Sequence, residues 1–223
     1  MAFRIAVVMA LVACVPWLMF MGAGPLTTDI VLSNPTHLLP LGGDGWIDFA
    51  ATWQQARCGR RILLLEDSGG NLVRLGIVPP RHELERKLLV DKGVPAGAIE
   101  VVRRDGDPEW ADDLHSWIGD HPSARVLVVA SEFRTRLVAL ELRRARRHDE
   151  LPRRSTTGVH GLSDRRFGRN DWWRSRAGAS TFASAWLDLI HAILMGPPRP
   201  DDYPPWDAVA YERELVLRTG NER

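Results

Sequence analysis

Two unbroken apolar runs, Ile62–Leu65 and Val126–Ala130, most constrain what this chain can become. Neither alternates with polar residues, so each reads as a strand covered on both faces. Each ends in a polar or glycine turn, Ser68-Gly69-Gly70 after the first and Ser131-Glu132-Phe133-Arg134 after the second, and a helical pattern follows. "HLLPLGGDG" supplies an earlier strand ending at Gly42-Gly43-Asp44, although Pro40 is unusual inside a central strand. Ile99–Arg103 supplies a further one, entering the polar turn Arg104-Asp105-Gly106-Asp107.

Helices are expected over Trp46–Ala56, from Pro79 to a C-cap at Gly93, over Glu109–Ile118, and from Ser131 to Arg147. Strands and helices alternating at this spacing predict an α/β fold, a Rossmann-like three-layer sandwich with a mainly parallel sheet. Right-handed crossovers then gather the glycine and polar turns on one edge of that sheet. Beyond Arg147 the pattern weakens. The stretch from Arg153 to Gly178 reads as a long basic loop, "STFASAWLDLIHAIL" as a buried helix, and "DAVAYERELVLR" as a short terminal helix.

The first residues stand apart. No charge occurs from Ile5 to Pro25, and about 20 apolar residues match a membrane's hydrocarbon thickness. Arg4 alone precedes the run, which places the N-terminus in the cytoplasm and the body outside the inner membrane. A cleaved signal peptide ending near Gly22-Ala23-Gly24 is the alternative; the length of the run favours an uncleaved anchor. The chain of 223 residues therefore divides into an anchor (1–25), a short polar link (26–35), one α/β domain (36–196) and a proline-rich extension (197–223).

Charge narrows the chemistry. The total is +1, so no nucleic-acid partner follows from it. Between Arg134 and Arg176, however, 13 arginines face five acids. Such a local field attracts anionic small molecules or lipid headgroups. Arg143, Arg144, Arg146 and Arg147 suit the negative end of their own helix. Arg134 and Arg136 lie at the opposite end, where the dipole disfavours cations, so an acid such as Glu132 or an anionic ligand should hold them. Cysteine and histidine show no metal-ligand spacing, Cys58 is expected as a small buried hydrophobe, and no nucleotide-loop or nucleophile-elbow motif occurs. The cofactor is left open. Of the pair Trp172-Trp173, one indole should turn inward and leave the other near the surface or a membrane interface.

Taken in order, Leu41-Gly42-Gly43, Ser68-Gly69-Gly70, Gly93-Val94-Pro95, Ser131-Glu132-Phe133 and Trp172-Trp173-Arg174-Ser175-Arg176 resemble the SanA/ElyC/YdcF family of bacterial envelope proteins. The resemblance spans about residues 36–195. It implies a membrane-anchored Rossmann-like domain with a role in envelope integrity or in handling polysaccharide or peptidoglycan precursors. The chain departs from the family at its polar positions: Arg134 stands where histidine is usual, Leu137 where arginine is usual, and Asp105-Gly106-Asp107-Pro108-Glu109 replaces a Ser/Thr/Glu/Asn turn. Arginine cannot serve as a general base as histidine can, but it clamps phosphate or carboxylate. Candidate ligand-binding residues are Gly42, Gly43, Asp44, Ser68, Gly69, Gly70, Asp105, Ser131, Glu132, Arg134 and Arg136. Two other readings follow from the same residues: a scaffold whose site has degenerated, with a filled cleft, and a hydrolase or transferase using Asp44, Asp105, Asp107 or Glu132.

Overall fold

The computed structural model describes residues 23–66, 73, 75–102, 110–148 and 156–195. The proposed span within 1–22, the turns at 67–72 and 103–109, and the C-terminal extension lie outside these residues. Five strands form one parallel sheet: β1 (His37–Pro40), β2 (Arg61–Leu65), β3 (Ile99–Val102), β4 (Val126–Ser131) and β5 (Thr157–Leu162). Their order is β3-β2-β1-β4-β5, so the chain builds outward from β1 in one direction, then returns and builds in the other.

The five longer helices are α1 (Trp46–Gln55), α2 (Arg81–Asp91), α3 (Trp110–Asp120), α4 (Thr135–His148) and α5 (Arg176–Met195). Reversing the winding direction while keeping right-handed crossovers puts the helices of the first half, α1 and α2, on one face and α3 and α4 on the other. Leu38, Ile62, Leu64 and Val129 pack with Ala50, Ala51 of α1 and Leu89 of α2. Leu39, Leu63, Val126 and Val128 pack on the other face with Leu114 and Ile118 of α3 and Val138 and Leu142 of α4. Neighbouring residues of one strand thus enter different cores, which is why the apolar runs do not alternate.

Pro40 fits β1 for a specific reason. The N–H groups of His37 and Leu41 point to the β4 side, donating to Arg125 O and Val129 O. By alternation the donor that proline lacks would face β2, where the paired register ends at Leu38↔Ile62. No ladder bond is forfeited. At the end of α2, Gly93 N–H donates to Val90 O and Val94 N–H to Leu89 O, a Schellman cap with Leu89 and Val94 buried together.

The basic segment after Arg147 contains a strand that its sequence does not announce. β5 pairs with β4 over six residues. The segment 26–35, expected as a polar link, is folded onto the domain: Leu26 is fully buried, and Ile30 exchanges both backbone bonds with Val159 across the outer edge of β5. Gly158 permits this closure, since a Cβ there would lie 2.7 Å from Leu32 Cβ and 2.8 Å from Ile30 O.

α5 forms an additional layer beyond α4. Its Phe182, Ala185, Leu189 and Ala192 pack with Phe133, Leu137, Trp172 and Leu26. Arg144 Nη2 donates to Ala192 O at 2.6 Å, satisfying one of the last four carbonyls of α5 rather than the end of its own helix. Cys58 is exposed, contrary to the expectation of a buried thiol, because it falls in the turn between α1 and β2.

The tight contact at Gly158 makes a direct prediction. Gly158→Ala should lower stability by about 1–3 kcal/mol through overpacking, read as a lower urea midpoint with an unchanged slope. Wild-type stability would mean that residues 30–32 do not close on β5.

Candidate functional site

In an open parallel sheet the strand-following loops diverge where the strand order reverses, leaving a crevice at the carboxyl ends. Here that point lies between β1 and β4. A cleft of about 370 Å³ occupies it, with Leu41, Gly42 and Gly43 on the β1 side and Ala130, Ser131 and Arg134 on the β4 side. A small-molecule pocket of roughly 300–1,000 Å³ is the usual size.

Gly42 and Gly43 both have φ of +118°, and a Cβ on Gly43 would stand 3.3 Å from Ser131 N. Glycine is thus required both by the backbone conformation and by the approach of the β1 end to the β4 end. The turn Glu132–Arg134 is held from beneath by Thr135, which is buried: its hydroxyl donates to Glu132 O at 2.9 Å and accepts from Thr28 N–H at 2.9 Å. The segment after the proposed anchor therefore braces the loop that carries Arg134.

Arg134, Leu137, Val138 and Glu141 all line the cleft. They sit at i, i+3, i+4 and i+7, one helical stripe. Arg136 is two residues off this stripe, is exposed and does not line the cleft, so the two arginines do not act as a pair. The acid that holds Arg134 is Asp188 of α5, with Nη2 to Oδ2 at 3.5 Å; Glu132 instead accepts from Ser163 Oγ at 3.0 Å. Both members of the Arg134–Asp188 pair are about half exposed, so the pair contributes at most about 1 kcal/mol. A bound phosphate or carboxylate would compete for the guanidinium on favourable terms.

Asp44 belongs to a neighbouring cleft of about 460 Å³, which shares Gly43 and includes Asp48, Lys92 and Arg165. Asp44 Oδ2 accepts from Arg165 N–H at 3.2 Å. Asp48 lies 2.7 Å from Lys92 and 3.3 Å from Arg165, and Lys92 first, then Arg165, holds its carboxyl below the usual carboxylate range. With Asp91 also in its lining, this second cleft sets three carboxylates against two cations and offers no surplus cation to an anion. Ser68, Gly69, Gly70 and Asp105 lie outside the described residues.

Two lining residues went unnoticed in the sequence. Trp110, opening α3, donates from Nε1 to Glu141 Oε2 at 3.0 Å, and both line the cleft. The signal for Glu141 was its place on the stripe with Arg134; that for Trp110 was absent, because the contact joins two helices distant in sequence. Among the described lining residues Arg134 and Glu141 are the titratable ones, so the cleft is lined by a cation, a carboxylate and an indole.

Comparison with protein-family models, with curated proteins and with solved structures finds no match. The chemistry is therefore read from the cleft. A guanidinium near a glycine-rich strand end suits an anionic group, the carboxylate of Glu141 suits hydroxyls, and the apolar walls suit a ring or short chain. Nothing among the described lining residues forms a nucleophile–base pair. Releasing Arg134 should sharpen anion capture: Asp188→Asn is expected to bind inorganic pyrophosphate up to about fivefold more tightly than wild type in calorimetry. Weaker binding would show that Asp188 orients Arg134 rather than competing for it.

Proposed function

We propose that this chain is a SanA/ElyC/YdcF-like protein, anchored in the inner membrane through residues 5–24, with its α/β domain outside the cytoplasm. In this reading the domain binds an anionic small molecule bearing phosphate or sugar in the cleft between β1 and β4, in a role in envelope integrity or precursor handling. The observation that carries it is the position of the cleft at the reversal of strand order, with Arg134 beside Gly42, Gly43 and Ser131. The ordered short motifs and the uncharged N-terminal run support the family and the location.

The scaffold reading expects a filled cleft, and an opening of about 370 Å³ weighs against it. The hydrolase reading gains no support from Asp44 or Glu132, whose carboxylates engage Arg165 and Ser163 away from each other. No cluster of three potential metal ligands occurs among the described residues.

The test is binding of nucleotide-sugar and lipid-linked sugar ligands to the full chain in detergent. Loss of a charge-assisted contact of about 1.5–3 kcal/mol should weaken binding by Arg134→Ala about 10- to 100-fold. Arg136→Ala should bind as wild type. Equal binding by Arg134→Ala and wild type would overturn the site.

A further inference from the structure

The inner stripe of α5 is buried in the domain, yet the last turns of its exposed side are largely apolar, with Asp188 and His191 among them. Leu187 is 68% exposed, Ile193 59% and Leu194 75%, with Ile190 beside them. Leu187, Ile190 and Leu194 follow i, i+3, i+7 spacing, so they share one face. By length and composition alone the helix could cross a membrane. Its Phe182, Ala185, Leu189 and Ala192 are instead committed to the packing against Phe133 and Leu137. A span would have to abandon that packing. The excess apolarity belongs to the outer face, and soluble domains rarely leave such a face to water.

Arginines are exposed on the neighbouring helix and at the start of α5 itself. Arg143 and Arg146 are exposed on the part of α4 that Arg144 ties to α5 at Ala192. Arg174 and Arg176 are exposed at the start of α5, beside the half-exposed Trp173. Asp188, the acid on this helix, is occupied by Arg134. A helix with an apolar outer face, exposed arginines at its start and on its neighbour, and a half-exposed tryptophan just before it has the composition of a helix lying in the plane of a bilayer interface. A two-fold contact with a second copy would bring these arginines against arginines, which disfavours that occupant.

The point where the chain enters the domain fits the same side. Ala23 and Leu26 are buried in the cluster that holds the inner stripe of α5. An inserted run ending just before Ala23 would tether the domain to the bilayer beside this helix.

We infer that the outer face of α5, Leu187, Ile190, Ile193 and Leu194, rests on an anionic bilayer surface, with the flanking arginines on lipid phosphates. The inference rests on the proposed anchor and adds a second membrane contact to it. Each exposed arginine would contribute through attraction to anionic headgroups, and the apolar face through burial at the headgroup boundary. The domain is then held in one orientation rather than swinging on a tether.

The full chain, with Cys14→Ser and Cys58→Ser, is reconstituted into vesicles of phosphatidylcholine and phosphatidylglycerol. An environment-sensitive fluorophore is placed singly at Leu187→Cys, Leu194→Cys, Lys87→Cys on α2, or Leu11→Cys in the apolar run. The expected result is blue-shifted emission and loss of intensity with headgroup-proximal nitroxide lipids at 187 and 194, and neither change at 87. The Arg143→Glu, Arg146→Glu variant should lose part of the quenching at 194. Quenching at 11 by deep nitroxides without quenching at 187 and 194 overturns the inference and leaves the anchor standing, whether a second copy or another segment then covers the face. Absence of quenching at 11 as well overturns both.

Discussion

The pairing of β1 with β4 is the contact on which the rest of the structure depends. It joins two halves of the sheet that the chain builds at different times: β1, β2 and β3 outward in one direction, then β4 and β5 in the other. Four residue pairs, from His37↔Val126 to Pro40↔Val129, bring the halves together. Leu38 and Leu39 of β1 are fully buried, one in each core, so the same short strand commits both helical layers. Burial of each such leucine contributes about 1.5–3 kcal/mol. The reversal at this pair also opens the cleft, since the loops after β1 and β4 lead to helices on opposite faces.

α4 connects that cleft to the rest of the molecule. Val138 and Leu142 face the sheet core, Leu137 faces α5, and the stripe from Arg134 to Glu141 enters the cleft. Arg134 touches α5 through Asp188, and Arg144 caps α5 further along. Thr135 ties the same helix to Thr28 in the segment that leads in from the N-terminal run. A ligand at Arg134 and a bilayer under α5 would therefore act on one rigid helix from two sides.

Local pattern made much of the sheet legible. Ile62–Leu65 and Val126–Ala130 could be read because burial on both faces leaves an unbroken apolar run, and α2 because its closing glycine is followed by the valine its cap buries. β5 was illegible because "TGVHGL" has two glycines and little apolar content; its existence depends on β4 on one side and Ile30 on the other. Gly42, Gly43, Ser131 and Arg134 line one cleft at the strand-end edge, a grouping that follows from the sheet's crossovers. The partner of Arg134 was not legible, because Asp188 lies far along the chain on a layer that no periodicity places. Arg136 was grouped with Arg134 by sequence proximity, whereas helical geometry turns it elsewhere. Trp172 and Trp173 divided as expected, one stacked on Phe182 at 3.6 Å and the other half exposed.

As proposed above, the reversal of strand order makes a ligand site of the β1–β4 crevice. Backbone amide chemical shifts of the isotopically labelled full chain in nanodiscs, titrated with a nucleotide sugar, test it most directly. Saturable shifts are expected, concentrated at Gly42, Gly43, Ser131, Arg134 and the Trp110 indole N–H. Shifts confined to the arginines of 143–176, with the glycine and Ser131 amides unmoved, would contradict it.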